Sequence, residues 1–328
     1  MTRDSLVRIE HLDIDYRQHG VWVPVVRDVS FELREREMVS LVGESGCGKT
    51  TLALSILRLL PERESAVRGG RILFDGSDVL RMDPDGLRSL RGGRISMIFQ
   101  DPFSSLNPVL TVGEQVEEVL ECHEGRRDPA RVKSLLERVV LPDPSRIYSS
   151  FPHQLSGGQR QRVMIAMAIA SSPKLLIADE PTTALDVTVQ KEILDLLTRL
   201  QDELGMSVLL ITHNLGLVAE RSHRLAVMYS GRLVESGETA AVLASPRHPY
   251  TQGLIQSLPR IRRTGSRLPM LPGQPPELSR IPSGCAFHPR CAKVFAPCSR
   301  EIPPLKKMGS SPDSDEAVAC HLFGGPAS

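Results

Sequence analysis

Residues 43–50 read Gly-Glu-Ser-Gly-Cys-Gly-Lys-Thr, which fits the G-x-x-x-x-G-K-[ST] pattern of a loop that cradles phosphate. Glycines at 43, 46 and 48 let the backbone wrap so that successive N–H groups converge on an anion. Lys49 supplies a flexible point charge for β- and γ-phosphates, and the Thr50 hydroxyl can complete the shell of a Mg²⁺. A second centre is Leu175-Leu176-Ile177-Ala178-Asp179-Glu180, four apolar residues followed by two carboxylates. In an open parallel sheet, ligands bind beyond the carboxyl ends of the strands. There Asp179 can hold Mg²⁺ and Glu180 can polarise an attacking water. Each pattern has a bland alternative: a Gly-rich turn for the first, two acids capping the next helix for the second. Their occurrence in one chain favours phosphate chemistry.

The elements that must position these groups can be read around them. Met38–Val42 is an apolar run that predicts a strand entering the glycine loop, and Thr51–Leu60 predicts a helix leaving it, its N-terminus facing the anion. Leu155-Ser156-Gly157-Gly158-Gln159 precedes the helical run Arg160–Ala170 and makes a second Gly-rich helix start. Gln100 follows a predicted strand Ile95–Phe99, and His213 follows a predicted strand Val208–Ile211. Val187–Leu204 is an amphipathic helical pattern ending at Gly205, a C-cap residue.

In the N-terminal segment Val7 and Ile9, then Leu12, Ile14 and Tyr16, alternate as strand residues, and the phase slip at Glu10–His11 predicts a bulge. Val23–Val26 and Val29–Leu33 continue an antiparallel layer, with Trp22 at an exposed hairpin tip. Residues 110–171 are helix-rich, with Gly113–Glu121 and Ala130–Val140 broken by Pro142 and Pro144. From about Ser245, Pro and Gly become frequent and periodicity fades. Each nucleotide motif occurs once, so no tandem repeat is expected.

Composition agrees. A chain of 328 residues with 41% apolar content can bury one large α/β core and a smaller appendage. The 40 basic and 39 acidic residues nearly cancel, which argues against a nucleic-acid surface. No stretch offers the ~18 consecutive apolar residues of a membrane span. Arg3, Asp4 and Arg8 leave no apolar segment for a signal peptide, so the chain is expected in the cytoplasm, reaching a membrane through partners.

Taken in order, the 43–50 loop, Gln100, Leu155–Gln159, Asp179-Glu180, Ala184-Leu185-Asp186 and His213 resemble the ATP-binding-cassette (ABC) family over about residues 5–250. The resemblance implies an α/β P-loop NTPase fold with a mixed sheet core, an antiparallel β layer and a helical insert at about 110–171, followed by a cysteine-containing tail at 251–328. It implies ATP and Mg²⁺ held by Gly43, Ser45, Gly46, Cys47, Gly48, Lys49, Thr50, Thr51, Gln100 and Asp179, with Glu180 as general base and His213 at the γ-phosphate. Ser156, Gly157, Gly158 and Gln159 would meet the nucleotide of a partner cassette in trans, adding the dipole of their own helix. Tyr16 matches the aromatic that stacks on adenine; a half-buried strand tyrosine is the other reading. Asn214 departs from the family, which usually has an acid there. Cys47, at a helix N-terminus, is expected to have a lowered thiol pKa, or else to serve only as a small residue.

Asp101–Pro108 would be the surface for a short helix of a membrane subunit, presenting Phe103 and Leu106 on a turn-rich loop; a packed internal loop is the alternative. Residues 245–259, Ser-Pro-Arg-His-Pro-Tyr-Thr-Gln-Gly-Leu-Ile-Gln-Ser-Leu-Pro, resemble the segment specific to ATPases of oligopeptide and dipeptide importers. Arg162–Ala168 and Ala178–Asp186 resemble the D-type of the two paired subunits. The implied partners are an F-type ATPase as heterodimer, two transmembrane permeases and an extracytoplasmic peptide-binding protein. Related machinery moves nickel, glutathione or other small peptidic compounds. A soluble ABC ATPase acting on DNA or ribosomes would carry tandem cassettes or a long coiled-coil insertion, and this sequence has neither.

Four of six cysteines lie in the tail: Cys285, Cys291, Cys298 and Cys320. Structural zinc favours C-x₂₋₄-C pairs, and these gaps are wider. Four thiolates in a Pro-rich tail can enclose an iron–sulfur cluster, and some peptide-importer ATPases carry a 4Fe-4S cluster in the tail that this one resembles. Zn²⁺ remains the alternative metal, with His288 and His321 as reserve ligands, and four reduced thiols packed as small hydrophobes remain the metal-free one.

Overall fold

The structure is a computed structural model that describes residues 4–100, 105–183, 185–219, 221–257, 271–308 and 315–323. Two compact units divide the chain. The first comprises Met1–Leu6, Leu33–Met38 and Ser77–Ile211; the second comprises Val7–Glu32, Val39–Gly76 and Thr212–Ser328.

The first unit is built on three parallel strands. Leu175–Asp179 lies between Ile95–Ile98 and Ser207–Thr212, with Ile177 opposite Met97 on one side and Leu209 on the other. Leu175–Asp179 and Ser207–Thr212 are buried along their whole length, as near-continuous apolar runs require when helices cover both faces of a sheet. The predicted insert forms the helices Val112–Glu124, Pro129–Arg138, Pro144–Tyr148 and Gly157–Ile169. Val187–Leu204 has the bounds that its periodicity predicts, opened by an Asp186 side chain that accepts from Val189 N–H and closed by Gly205 at φ 62°.

One expectation in this unit is corrected. Leu106 is buried, 4% exposed, rather than presented on the loop surface. The cause is Gln115 on the following helix. Its amide accepts from Asn107 N–H at 2.9 Å and donates to the carbonyls of Asn107 and Leu110, both at 3.1 Å, which folds the loop inward. Phe103 and the rest of 101–104 lie outside the described residues, as does Ala184.

In the second unit, Val39–Val42 pairs in parallel with Arg224–Val227, which turns through Ser230 and Gly231 into the antiparallel strand Arg232–Glu238. The tail adds to this sheet: Ala317–Val318 pairs antiparallel with Glu235 and Ser236, and Lys306–Lys307 pairs in turn with it. An antiparallel layer is formed by Ser5–Gln18 between Val21–Arg34 and Ser65–Phe74. The predicted bulge is present, as register shifts around Asp13 with His11 at φ 46°. Gly70, at φ 91°, accommodates it, since a Cβ there would lie 2.5 Å from the Glu10 carbonyl. Trp22 is 40% exposed, with the Arg68 guanidinium 4.6 Å from its ring.

The core of this unit joins Val42, directly before the glycine loop, to Val227, Tyr229 and Val234 and to Tyr250 and Phe287 of the C-terminal region. The helix after the glycine loop is shorter than predicted, Lys49–Ile56, because Leu57 caps it and Arg58 takes φ 51°. Among the described residues no helix is long and apolar enough to cross a membrane.

Candidate functional site

The glycine loop of the second unit is shaped by close approach. Gly46 and Gly48 take φ 77° and 105°, conformations that L side chains rarely adopt. A Cβ on Gly43 would meet the Met228 carbonyl at 2.2 Å, and one on Gly48 the Val25 carbonyl at 2.8 Å. Gly48 caps the helix Lys49–Ile56, whose first-turn amides have no intrahelical acceptors and whose first turn carries no acid. Lys49 is buried, and its Nζ donates to the carbonyls of Gly43 at 2.9 Å and Glu44 at 3.0 Å, curling the loop around an ammonium. Ser45 and Thr50 are exposed and Thr51 is half-buried. Tyr16 is half-buried, opposite Ser65, with its hydroxyl bonded to the Thr51 side chain. His213 is exposed just past Ser207–Thr212, and Asn214 caps the next short helix by accepting from Gly216 N–H at 3.1 Å.

The expectation of an acidified Cys47 is corrected. Its side chain is buried, and that burial pushes the thiol pKa up, against a smaller opposing effect from Lys49. A buried neutral thiol 3.8 Å from Lys49 Nζ is a small packing residue, with little nucleophilic character.

In the first unit, Asp179 ends its strand almost fully buried, and Glu180 follows at φ 48° with its N–H donating to Ile211 O at 2.9 Å. The Glu180 carboxylate accepts from Gln100 Nε2 at 3.1 Å and from Thr183 Oγ1 at 2.9 Å, so two motifs separated by 80 positions meet at one carboxylate. Ser156 begins the helix Gly157–Ile169 with a reciprocal box: Ser156 N–H donates to Gln159 Oε1 at 3.0 Å, and Gln159 N–H to Ser156 Oγ at 3.2 Å. Gly157 and Gly158 face Val187–Leu204 and the turn before it; a Cβ at 158 would lie 2.9 Å from Val189 Cγ1.

The four tail cysteines occupy one neighbourhood. Cys285 N–H donates to the Cys298 carbonyl at 2.8 Å. Burial, and then the proximity of Cys320, Cys298 and Cys291, pushes the Cys285 thiol pKa up to about 11, and Cys320 is raised by burial and by Cys291 and Cys298. Among the described residues, however, no three His, Cys, Asp or Glu side chains are gathered so as to hold a metal ion. Zinc bonds of about 2.3 Å would draw tetrahedral sulfurs within roughly 4 Å of one another. His288 and His321 are engaged elsewhere, with the carbonyls of Cys285 and Glu301.

Around this loop, residues of the 245–259 segment and its neighbours take roles that the sequence pattern does not assign. His248 is fully buried and uncharged, its pKa driven down to about 3 by desolvation, and accepts from Tyr250 N–H. Glu235 accepts from the N–H groups of Arg247 and His248 at 2.6 and 2.9 Å. Tyr229, Tyr250 and Phe287 pack ring against ring, with centroids 4.6–5.4 Å apart.

Comparison with known proteins matches residues 26–183 to the ABC transporter family and residues 234–298 to the oligopeptide/dipeptide transporter C-terminal region. A peptide import ATP-binding protein of Brucella abortus is 50% identical over 307 residues, covering 93% of this chain and 92% of the relative. One from Brucella ovis is 46% identical over 322 residues, covering 94% and 95%. Among solved structures, the ATP-binding cassette MJ0796, a dimer in a post-hydrolysis state bound to ADP and Pi, superposes with a TM-score of 0.63 at 29% identity, covering 71% of this chain and 98% of that one. The cbiO1 subunit of the cbiONQ ABC transporter from Clostridium perfringens gives 0.62 at 28% identity, covering 74% and 92%. The chain belongs to the ABC transporter family of ATP-binding cassettes, in the branch that carries the oligopeptide/dipeptide transporter C-terminal region.

Proposed function

We propose that this chain is the ATP-hydrolysing subunit of an importer of short peptides. The observation that carries the reading is the joining of a complete set of cassette motifs to the 234–298 region, within a chain half identical to proteins named for peptide import. In this reading the backbone of 43–48, Lys49 and Thr51 take the ATP phosphates, and Tyr16 stacks on adenine. Thr50, Gln100 and Asp179 offer hard oxygen donors that suit Mg²⁺. Glu180 accepts the proton of the attacking water, and Gln100, already bonded to it, keeps its carboxylate oriented. His213 contacts the γ-phosphate. Ser156–Gln159 closes on the nucleotide of a second, F-type ATPase.

The same reading places the chain peripherally at the cytoplasmic face of a membrane. There it works with two permeases and an extracytoplasmic peptide-binding protein. The test is ATP hydrolysis by the reconstituted complex: short peptides delivered by the binding protein should stimulate it. Stimulation by nickel or glutathione with none by peptides would replace the cargo, and co-purification with ribosomes or DNA without permeases would sink the transporter reading.

For the tail, four thiols close enough to raise one another's pKa are the residues that would hold a metal group, and their wide sequence spacing suits a 4Fe-4S cluster better than Zn²⁺. When bound, such a cluster would cross-link a tail poor in regular structure and take no part in hydrolysis. Anaerobic purification with iron and sulfide assays decides the matter: stoichiometric iron and sulfide are expected, and a colourless protein holding zinc or no metal would refute the cluster.

A further inference from the structure

Glu44, the second residue of the glycine loop, is gripped twice by the C-terminal region. Its backbone N–H donates to the Tyr250 hydroxyl at 2.9 Å. Its carboxylate accepts two parallel bonds from Arg290, at 2.7 Å from Nη1 and 2.9 Å from Nη2. The two residues are 246 positions apart in the chain. Arg290 is fixed in turn: its side chain is only 5% exposed, Nε donates to the Pro272 carbonyl at 2.9 Å, and Nη1 reaches the Tyr229 hydroxyl at 3.3 Å. Phe287, three residues earlier, is wedged against Tyr229 and Tyr250 in the core beneath the loop. On the other side, the Glu44 carbonyl is one of the two that hold Lys49 Nζ. A continuous run of contacts thus leads from the Cys285–Cys291 segment through Arg290 and Glu44 to the ammonium of Lys49.

We propose that Arg290 is a positioning residue for nucleotide binding. By clamping Glu44 it sets the carbonyl on which Lys49 rests, and with it the shape in which the loop meets phosphate. This rests on the reading of 43–50 as the ATP-binding loop. A bidentate guanidinium–carboxylate pair in a mostly buried setting fixes direction as well as distance, which a lone charge does not. A loop held in its binding shape before ATP arrives avoids the ordering cost at that moment. The tail is therefore part of the nucleotide site's scaffold, although none of its residues need touch nucleotide.

The experiment compares MgATP affinity in the full-length chain and in Arg290→Ala, Arg290→Lys, Glu44→Ala and the Arg290→Ala/Glu44→Ala double variant. Glu44→Ala breaks the clamp from the loop side and leaves the tail residues unchanged, so it guards against an Arg290 variant that fails to fold. Each alanine variant should bind MgATP about tenfold more weakly, the lower end of what a hydrogen-bonded charge contributes. The double variant should be no weaker than the worse single, because the two act as one unit. Arg290→Lys should recover part of the loss. In steady-state hydrolysis the change should fall on KM, with kcat within about twofold. Wild-type affinity in Glu44→Ala, or strictly additive losses in the double variant, would overturn the assignment even if Arg290→Ala melted early. A wild-type chain that bound no MgATP would overturn the loop reading as well.

Discussion

Two glycine-rich helix starts are the proposed anion sites of this chain, and they are held in opposite ways. The Gly157–Ile169 helix is capped by its own residues: Ser156 and Gln159 bond each other's backbone within four positions, and Gly158 only makes room for Val189. The Lys49–Ile56 helix has no side-chain cap. Its loop is shaped by the carbonyls of Val25 and Met228 against Gly48 and Gly43, by Lys49 folded back on Gly43 and Glu44, and by Tyr250 and Arg290 gripping Glu44. One start is a local motif, and the other depends on distant segments of its unit. The difference suits their proposed tasks. A loop that binds nucleotide within its own chain gains from a fixed shape, whereas a signature that meets a partner's nucleotide needs only a well-formed helix end.

The largest expected effects lie at the proposed general base and the loop lysine. Glu180→Gln should lower kcat by about 10²–10⁴, the range general-base catalysis supplies, while MgATP affinity stays near wild type. It keeps the side chain's shape and leaves Asp179 untouched. A near-native rate would remove Glu180 from the base role. Lys49→Ala should instead weaken MgATP binding by roughly tenfold to a hundredfold, the loss of hydrogen bonds from a charged donor. Nucleotide titration of the two variants separates chemistry from binding.

Alanine at the two glycine starts sharpens the contrast. Gly48→Ala combines φ 105° with a backbone carbonyl 2.8 Å from the new Cβ, and should cost about 2 kcal/mol or more of stability together with nucleotide binding. Gly158→Ala meets only the end of a valine side chain and should cost about 1 kcal/mol or less. Denaturant melts of both variants check the order, and equal losses would erase the distinction drawn here.

A subtler effect concerns His248, whose pKa falls from 6.5 to about 3 on burial. The folded state holds it neutral and the unfolded chain binds the proton, so its contribution to stability is complete above pH 6.5. That contribution is lost as pH falls toward 3, at about 1.4 kcal/mol per unit. Urea midpoints between pH 7 and 5 should therefore drop in the native chain and drop less steeply in His248→Gln. Parallel slopes would mean that burial does not depress the His248 pKa in the folded protein.

Legibility in the sequence follows the same division. Features that act through their own neighbours are readable: the helix start at Ser156–Gln159 and the bounds of Val187–Leu204. What depended on distant partners was not. Leu106 turned inward because Gln115 bonds the loop backbone, and Cys47 was raised in pKa because the unit's core covers it. Glu44 and Arg290 each read as ordinary charges, and nothing in their spacing links positions 246 apart.

The central claim, that the loop at 43–50 is set to bind nucleotide within this chain while the signature acts on a partner's, is tested most directly by backbone hydrogen exchange. Exchange should be followed with and without MgATP, first in the Glu180→Gln chain at concentrations where it is monomeric and then with the proposed partner ATPase. The account predicts that MgATP slows exchange across 43–52 in the lone chain, and slows exchange across 156–160 only when the partner is present. Protection of 156–160 in the lone chain, or none at 43–52 in either sample, would contradict it.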